Sequence, residues 1–104
     1  MAAEKNFENR IKKYIKARGG WYVKYWGSGM TEAGIPDLLC CIDGRFVGIE
    51  VKAQNGRPSE LQLWTIDKIR EAGGIAFVLY PSAWKRFTAW VESGMEDDLP
   101  VVLT

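Results

Sequence analysis

Asp37, Glu50 and Lys52 are the residues of this 104-residue sequence whose types and spacing are suited to chemistry. Asp43-Gly44 lies between two apolar runs and fits a type I′ turn, in which both central residues take positive φ, so residues 37–42 and 45–53 are expected to form a β-hairpin. Counted outward from that turn, Ile42 faces Arg45, Cys41 faces Phe46, Leu39 faces Gly48 and Asp37 faces Glu50. Two opposed carboxylates, with Cβ atoms ~5 Å apart, repel each other unless a cation or a proton lies between them. Repulsion alone predicts that removing either one leaves the metal-free protein no less stable. Side chains alternate along a strand, which puts Lys52 on the face of Glu50, one pleat further on and beyond the end of the partner strand. An acid pair beside an ammonium suits phosphodiester hydrolysis. A hard cation such as Mg²⁺, with Mn²⁺ as a substitute, takes oxygen ligands, polarises the phosphoryl group and activates bound water, while the lysine orients that water and steadies the developing charge. Asp37 and Glu50 are then the ligands, and the carbonyl oxygen of Val51 is a further donor.

The composition excludes competing chemistries. No histidine is present, so histidine-based acid–base and nucleophilic triads are ruled out. The two cysteines, Cys40 and Cys41, are adjacent; a strand sends them to opposite faces, and they fit no common zinc spacing. They read as reduced packing residues. With 47% hydrophobic and 26% charged residues, the chain is expected to be one globular domain over residues 1–104, without a membrane span or a signal peptide, and cytoplasmic. Net charge is only +1, yet residues 1–26 carry seven Lys/Arg against two Glu, and residues 91–104 carry four acids and no base. The basic end can face phosphates while the acidic tail, about residues 95–104, stays away from them.

The elements that must position these groups are legible from periodicity. Phe7, Ile11, Tyr14 and Ile15 recur at helical spacing between residues 4 and 18, and Gly19-Gly20 supplies the stop. Trp21 to Trp26 reads as a strand, followed by a glycine-rich loop from Gly27 to about Gly34. After the hairpin, Ser59 with Gln62 three residues on forms a capping box for a helix to about Ala72. Ile75 to Tyr80 is a continuous apolar strand, and Pro81-Ser82 opens a last helix whose inner stripe holds Trp84, Phe87, Thr88 and Val91 before Gly94. The order is α-β-β-β-α-β-α, an α/β fold with a mixed sheet flanked by helices.

Ile35-Pro36-Asp37 followed by Gly48-Ile49-Glu50-Val51-Lys52 resembles the P-D…(D/E)-x-K signature of the restriction-endonuclease-like nucleases. More closely, Gly34-Ile35-Pro36-Asp37, Ile49-Glu50-Val51-Lys52 and Ser59-x-x-Gln62 resemble the virus-type replication-repair nuclease domain, VRR-NUC, over nearly the whole chain. The resemblance implies a metal-dependent DNA endonuclease acting in viral or bacterial replication, recombination or repair, as a homodimer on branched DNA such as four-way junctions, in the host cytoplasm if viral. It implies no small-molecule cofactor beyond the metal. It also places a glutamate of the first helix near the ion, and the matching residue is Glu8, which borders the buried stripe; Glu4 competes for that role. Gln62 approaches the catalytic water in such nucleases, although the capping box alone also explains it. Lys24, Tyr25, Ser28 and Arg57 are the candidate contacts to the nucleic-acid backbone. Trp84, Phe87 and Trp90 on the last helix, or the Trp21–Trp26 strand, are the candidate dimer surfaces. The alternative is a structure-selective DNA-binding module whose cleavage site is weak or inactive.

Overall fold

The structure, a computed structural model, describes residues 2–26 and 33–104. Helix α1 (Ala2–Ala17) is followed by strands β1 (Trp21–Lys24), β2 (Leu38–Ile42) and β3 (Arg45–Val51), helix α2 (Glu60–Glu71) and strand β4 (Ile75–Leu79). A 3₁₀ turn over Pro81–Ala83 then leads into helix α3 (Trp84–Glu92), and strand β5 (Val102–Leu103) closes the order. The expected turn is present, with Asp43 at φ 48° and Gly44 at φ 82°, and the hairpin register is the expected one from Ile42↔Arg45 to Leu39↔Gly48. The capping box at Ser59 is also present.

One element is new. Residues 95–104, read from their charge as an acidic tail, carry β5, which pairs in parallel with β4 through Val78 N–H to Val101 O (2.8 Å) and Tyr80 N–H to Leu103 O (3.0 Å). Met95, Leu99 and Leu103 are buried, so three apolar anchors outweigh the acids around them. Strand β1 stops at Lys24 rather than Trp26, although Tyr25 N–H still donates to Asp37 O at 2.8 Å. Strand β3 stops at Val51 rather than Ala53.

The five strands form one sheet in the order β1-β2-β3-β4-β5, antiparallel from β1 to β3 and parallel from β3 to β5. Parallel neighbours need crossovers, and α2 and α3 supply them. Alternation divides the core into two layers. Phe7, Ile11 and Ile15 of α1 and Phe87, Trp90 and Val91 of α3 pack with Leu38, Cys40, Ile49, Val51, Phe77 and Leu79 on one face. On the other face Ile66 of α2 packs with Ala76, Val78 and Tyr80. Cys40 points into the first layer and Cys41 is exposed on the opposite face, both as free thiols. Among the described residues, no helix is long and apolar enough to cross a membrane.

Candidate active site

The hairpin register brings the end of β1, the start of β2 and the end of β3 to one rim of the sheet, since Lys24 pairs with Leu38 and Leu38 with Ile49. Two glycines fix the approach to that rim. Gly34 takes φ +81°, and a Cβ there would meet Leu61 and Thr65 of α2 within 3 Å, so the segment before Asp37 lies tight against α2. At Gly48 a Cβ would stand 3.2 Å from Pro36 Cγ, so the bare strand lets Pro36 rest on the sheet one residue ahead of Asp37. The Gly-x-Pro-Asp run thus delivers the aspartate to the ends of β1 and β3.

Asp37 then uses both oxygens: Oδ2 accepts the Val51 N–H at 2.9 Å, and Oδ1 receives the Lys24 ammonium at 3.3 Å. The same ammonium reaches Glu8 Oε1 at 2.7 Å, and Lys12 reaches Glu8 Oε2 at 3.0 Å. Glu50 is 1% exposed; its Oε2 lies 3.5 Å from Lys52 Nζ, and its Oε1 has no hydrogen-bond partner. Burial, with the charge of Asp37 beside it, pushes the Glu50 carboxyl up to about 8, against the pull of Lys52. Glu8 goes the other way. Burial raises it, but the hydrogen bonds and charges of Lys24 and Lys12 outweigh burial and hold its carboxyl below the usual range. Lys24 is held above the usual lysine value, because Glu8 and Asp37 outweigh its desolvation.

Asp37, Glu50, Lys52 and Glu8 therefore share one site, while Glu4 is less buried and makes no contact to it. Lys24, expected at the nucleic-acid backbone, instead stands inside the acidic cluster with its side chain 18% exposed. The reason is parity: Lys24 faces the α1 side of β1, where Glu8 lies. Lys12 also reaches Glu8, as the i,i+4 partner that helical spacing alone offers it. Gln62 is engaged in its cap, with Oε1 accepting the Ser59 N–H at 2.8 Å. Val51 is tied to the site by its amide. Tyr25 is half-buried next to Lys24, Arg57 is exposed in the loop after β3, and Ser28 lies outside the described residues.

The donor set fits a hard divalent cation. Asp37 and Glu50 are adjacent carboxylates, the Glu50 Oε1 atom is buried without a partner, and an ammonium already bridges Glu8 and Asp37 where positive charge is called for. Glu8 is drawn aside by its two lysines, and among the described residues no three acidic or cysteine side chains converge as one ligand group.

No protein-family model matches the sequence, and no curated protein matches it either. A solved structure described as a VRR_NUC domain does match, at 25% identity and a TM-score of 0.70, covering 88% of this chain and 97% of that one. The mixed five-stranded sheet with its flanking helices agrees with that match, and this chain has the restriction-endonuclease-like fold of a VRR_NUC domain.

Proposed function

We propose that the protein is a metal-dependent endonuclease that hydrolyses DNA phosphodiester bonds, with branched DNA such as four-way junctions as its substrate. The observation that carries this reading is Glu50: a carboxylate buried opposite Asp37, next to Lys52, with one oxygen unpartnered. Burying such a group is costly, and clusters of this kind occur where a cation or substrate will complete them. The likeness to a VRR_NUC domain supports a nuclease.

Asp37 and Glu50 would hold Mg²⁺ or Mn²⁺, with Glu8 and the Val51 carbonyl as supporting donors. The bound ion supplies Lewis acidity toward the phosphoryl oxygens and lowers the pKa of water. Lys52 orients the attacking water and stabilises charge gathering on the phosphate. The water oxygen bonds to phosphorus as the P–O3′ bond breaks and the 3′ oxygen takes a proton, leaving 5′-phosphate and 3′-hydroxyl ends. Lysines and arginines of α1, with Arg57, meet the backbone and set register rather than sequence. A homodimer would present two such centres to a junction.

The test is incubation with linear, flapped, gapped and four-way-junction DNA, with and without Mg²⁺. Cleavage is expected only with metal and most on junctions, and Asp37→Asn, Glu50→Gln and Lys52→Met should each lower it by about 10²-fold or more. Equal cleavage by any of the three variants, or full cleavage in chelator, overturns the assignment.

A further inference from the structure

The site holds three carboxyl and three ammonium groups before any metal arrives. Glu8, Asp37 and Glu50 face Lys12, Lys24 and Lys52, and with all six ionised their charges sum to zero. A divalent ion placed among them leaves two uncompensated positive charges in a largely buried site, which is costly unless an ammonium withdraws. The three lysines are not equal candidates. Lys12 touches only Glu8, and Lys52 sits beside Glu50. Lys24 alone bridges two carboxylates from different elements, at 2.7 Å and 3.3 Å, and so holds the oxygens that a cation next to Asp37 would draw on.

Lys24 also has somewhere to go. It is the last residue of β1, at the rim of the sheet, and its Nζ lies 5.4 Å from the ring of Trp26, which is 78% exposed. That exposed aromatic face is already within cation–π reach of the ammonium and can keep hold of it when the carboxylates let go.

We propose that Lys24 is an exchangeable counter-ion: its ammonium and the divalent cation compete for the carboxylates of Glu8 and Asp37, so metal loading and the outward release of Lys24 are one event. Before loading, Lys24 keeps Glu8 and Asp37 from repelling each other. After loading, it stands at the rim as a phosphate contact. This inference rests on the proposed nuclease site and assigns Lys24 a positioning role there.

The test is Mn²⁺ binding, read by electron paramagnetic resonance and calorimetry without DNA, for the full chain and for Lys24→Met, Lys12→Met and Glu50→Gln. Lys24→Met is expected to bind Mn²⁺ about tenfold tighter or more, and to show a larger Mn²⁺-induced rise in melting temperature because only its metal-free form is destabilised. Lys12→Met should change affinity much less. A purely structural role for Lys24 would lower stability with and without Mn²⁺ and leave affinity unchanged, and that result overturns the proposal. If Lys24→Met does not fold, the unaltered protein still decides the matter: Mg²⁺ should shift the Lys24 side-chain resonances and speed exchange of its ammonium protons, and an unmoved Lys24 in the loaded protein overturns the proposal. Mn²⁺ binding abolished by Glu50→Gln but indifferent to Lys24→Met removes this inference and leaves the nuclease site standing. Binding indifferent to Glu50→Gln removes both.

Discussion

The backbone N–H of Val51 donates to Oδ2 of Asp37 at 2.9 Å, so the residue between Glu50 and Lys52 also orients the carboxylate that faces them. Opposed carboxylates alone predict that removing Asp37 does not destabilise the metal-free protein, and this hydrogen bond reverses that expectation. Relief of like-charge repulsion contributes ~0.2–1 kcal/mol. A buried N–H left without an acceptor costs ~1–3 kcal/mol. The second effect wins, and Asp37→Ala should lose about 1–2 kcal/mol in chemical denaturation without metal. Asp37→Asn keeps an oxygen for Val51 and sheds the charge, so it should match the unaltered protein in stability while losing cleavage. Equal stability of the Ala and Asn variants would show that the hydrogen bond does not anchor Asp37.

Glu50 gives the metal-free protein an unusual dependence on pH. Its carboxyl is raised in the fold from an ordinary value of 4.5 to about 8. A raised group stabilises the fold fully below its unfolded value, and that contribution is lost as pH rises through the folded value. Stability without metal should therefore fall between about pH 4.5 and pH 8. Glu8 is lowered, so its contribution is present above its ordinary value of 4.5 and is lost only as pH falls below that. Denaturation midpoints at pH 5 and pH 8 in chelator test this: the unaltered protein should be more stable at pH 5, and Glu50→Gln should remove most of the difference. An unchanged slope in Glu50→Gln would assign the dependence to another group.

Much of the site could be read before the structure because its geometry is local. A two-residue turn fixes register, register fixes which residues oppose, and alternation places Lys52, so Asp37, Glu50 and Lys52 follow from counting along one hairpin. Glu8 was legible in part, through its place at the border of a helical stripe. Lys24 was not, because its environment depends on which helix packs against its face of β1, and no periodicity within the strand records that. Strand β5 was hidden for a similar reason. Val101-Val102-Leu103 is too short to signal a strand alone, and it forms because β4 offers a parallel edge and the core takes Leu103.

Ca²⁺ should support DNA binding with little hydrolysis. Its larger and more variable oxygen shell can satisfy Asp37 and Glu50 without imposing the near-octahedral geometry that orders water against phosphorus. Gel-shift titrations in Ca²⁺ should match those in Mg²⁺ with the Lys52→Met variant, while product formation in Ca²⁺ falls by about 10²-fold or more. Full turnover in Ca²⁺ with Mg²⁺ removed would contradict the proposed role of the ion.

The surface through which two copies would pair follows from which aromatic residues the fold has already used. Phe87 and Trp90 are buried in the core of a single chain, and Trp84 packs edge-on against Phe7 and Tyr14, so α3 is spent. The other face of the sheet is different. Trp21 pairs with Cys41 and Cys41 with Phe46, and these two aromatics are 57% and 58% exposed, with Val23 at 42% beside them. Helix α2 packs on β4 on that face, and among the described residues Trp21, Val23 and Phe46 stay exposed on β1 and at the start of β3. Exposed apolar patches of this kind mark interaction surfaces, and two-fold pairing across β1 would cover both patches and both open strand edges at once. Light scattering at micromolar concentration should give about twice the 11.8 kDa chain mass. Trp21→Glu with Phe46→Glu should yield a folded monomer, because neither side chain belongs to the core. That monomer should still nick DNA with Mg²⁺ but lose the paired nicks on opposing strands of a junction. A dimer indifferent to both substitutions would place the interface elsewhere, and an unaltered protein that is monomeric and ignores junctions would remove the branched-DNA reading while leaving the Asp37, Glu50 and Lys52 assignment to be judged on cleavage alone.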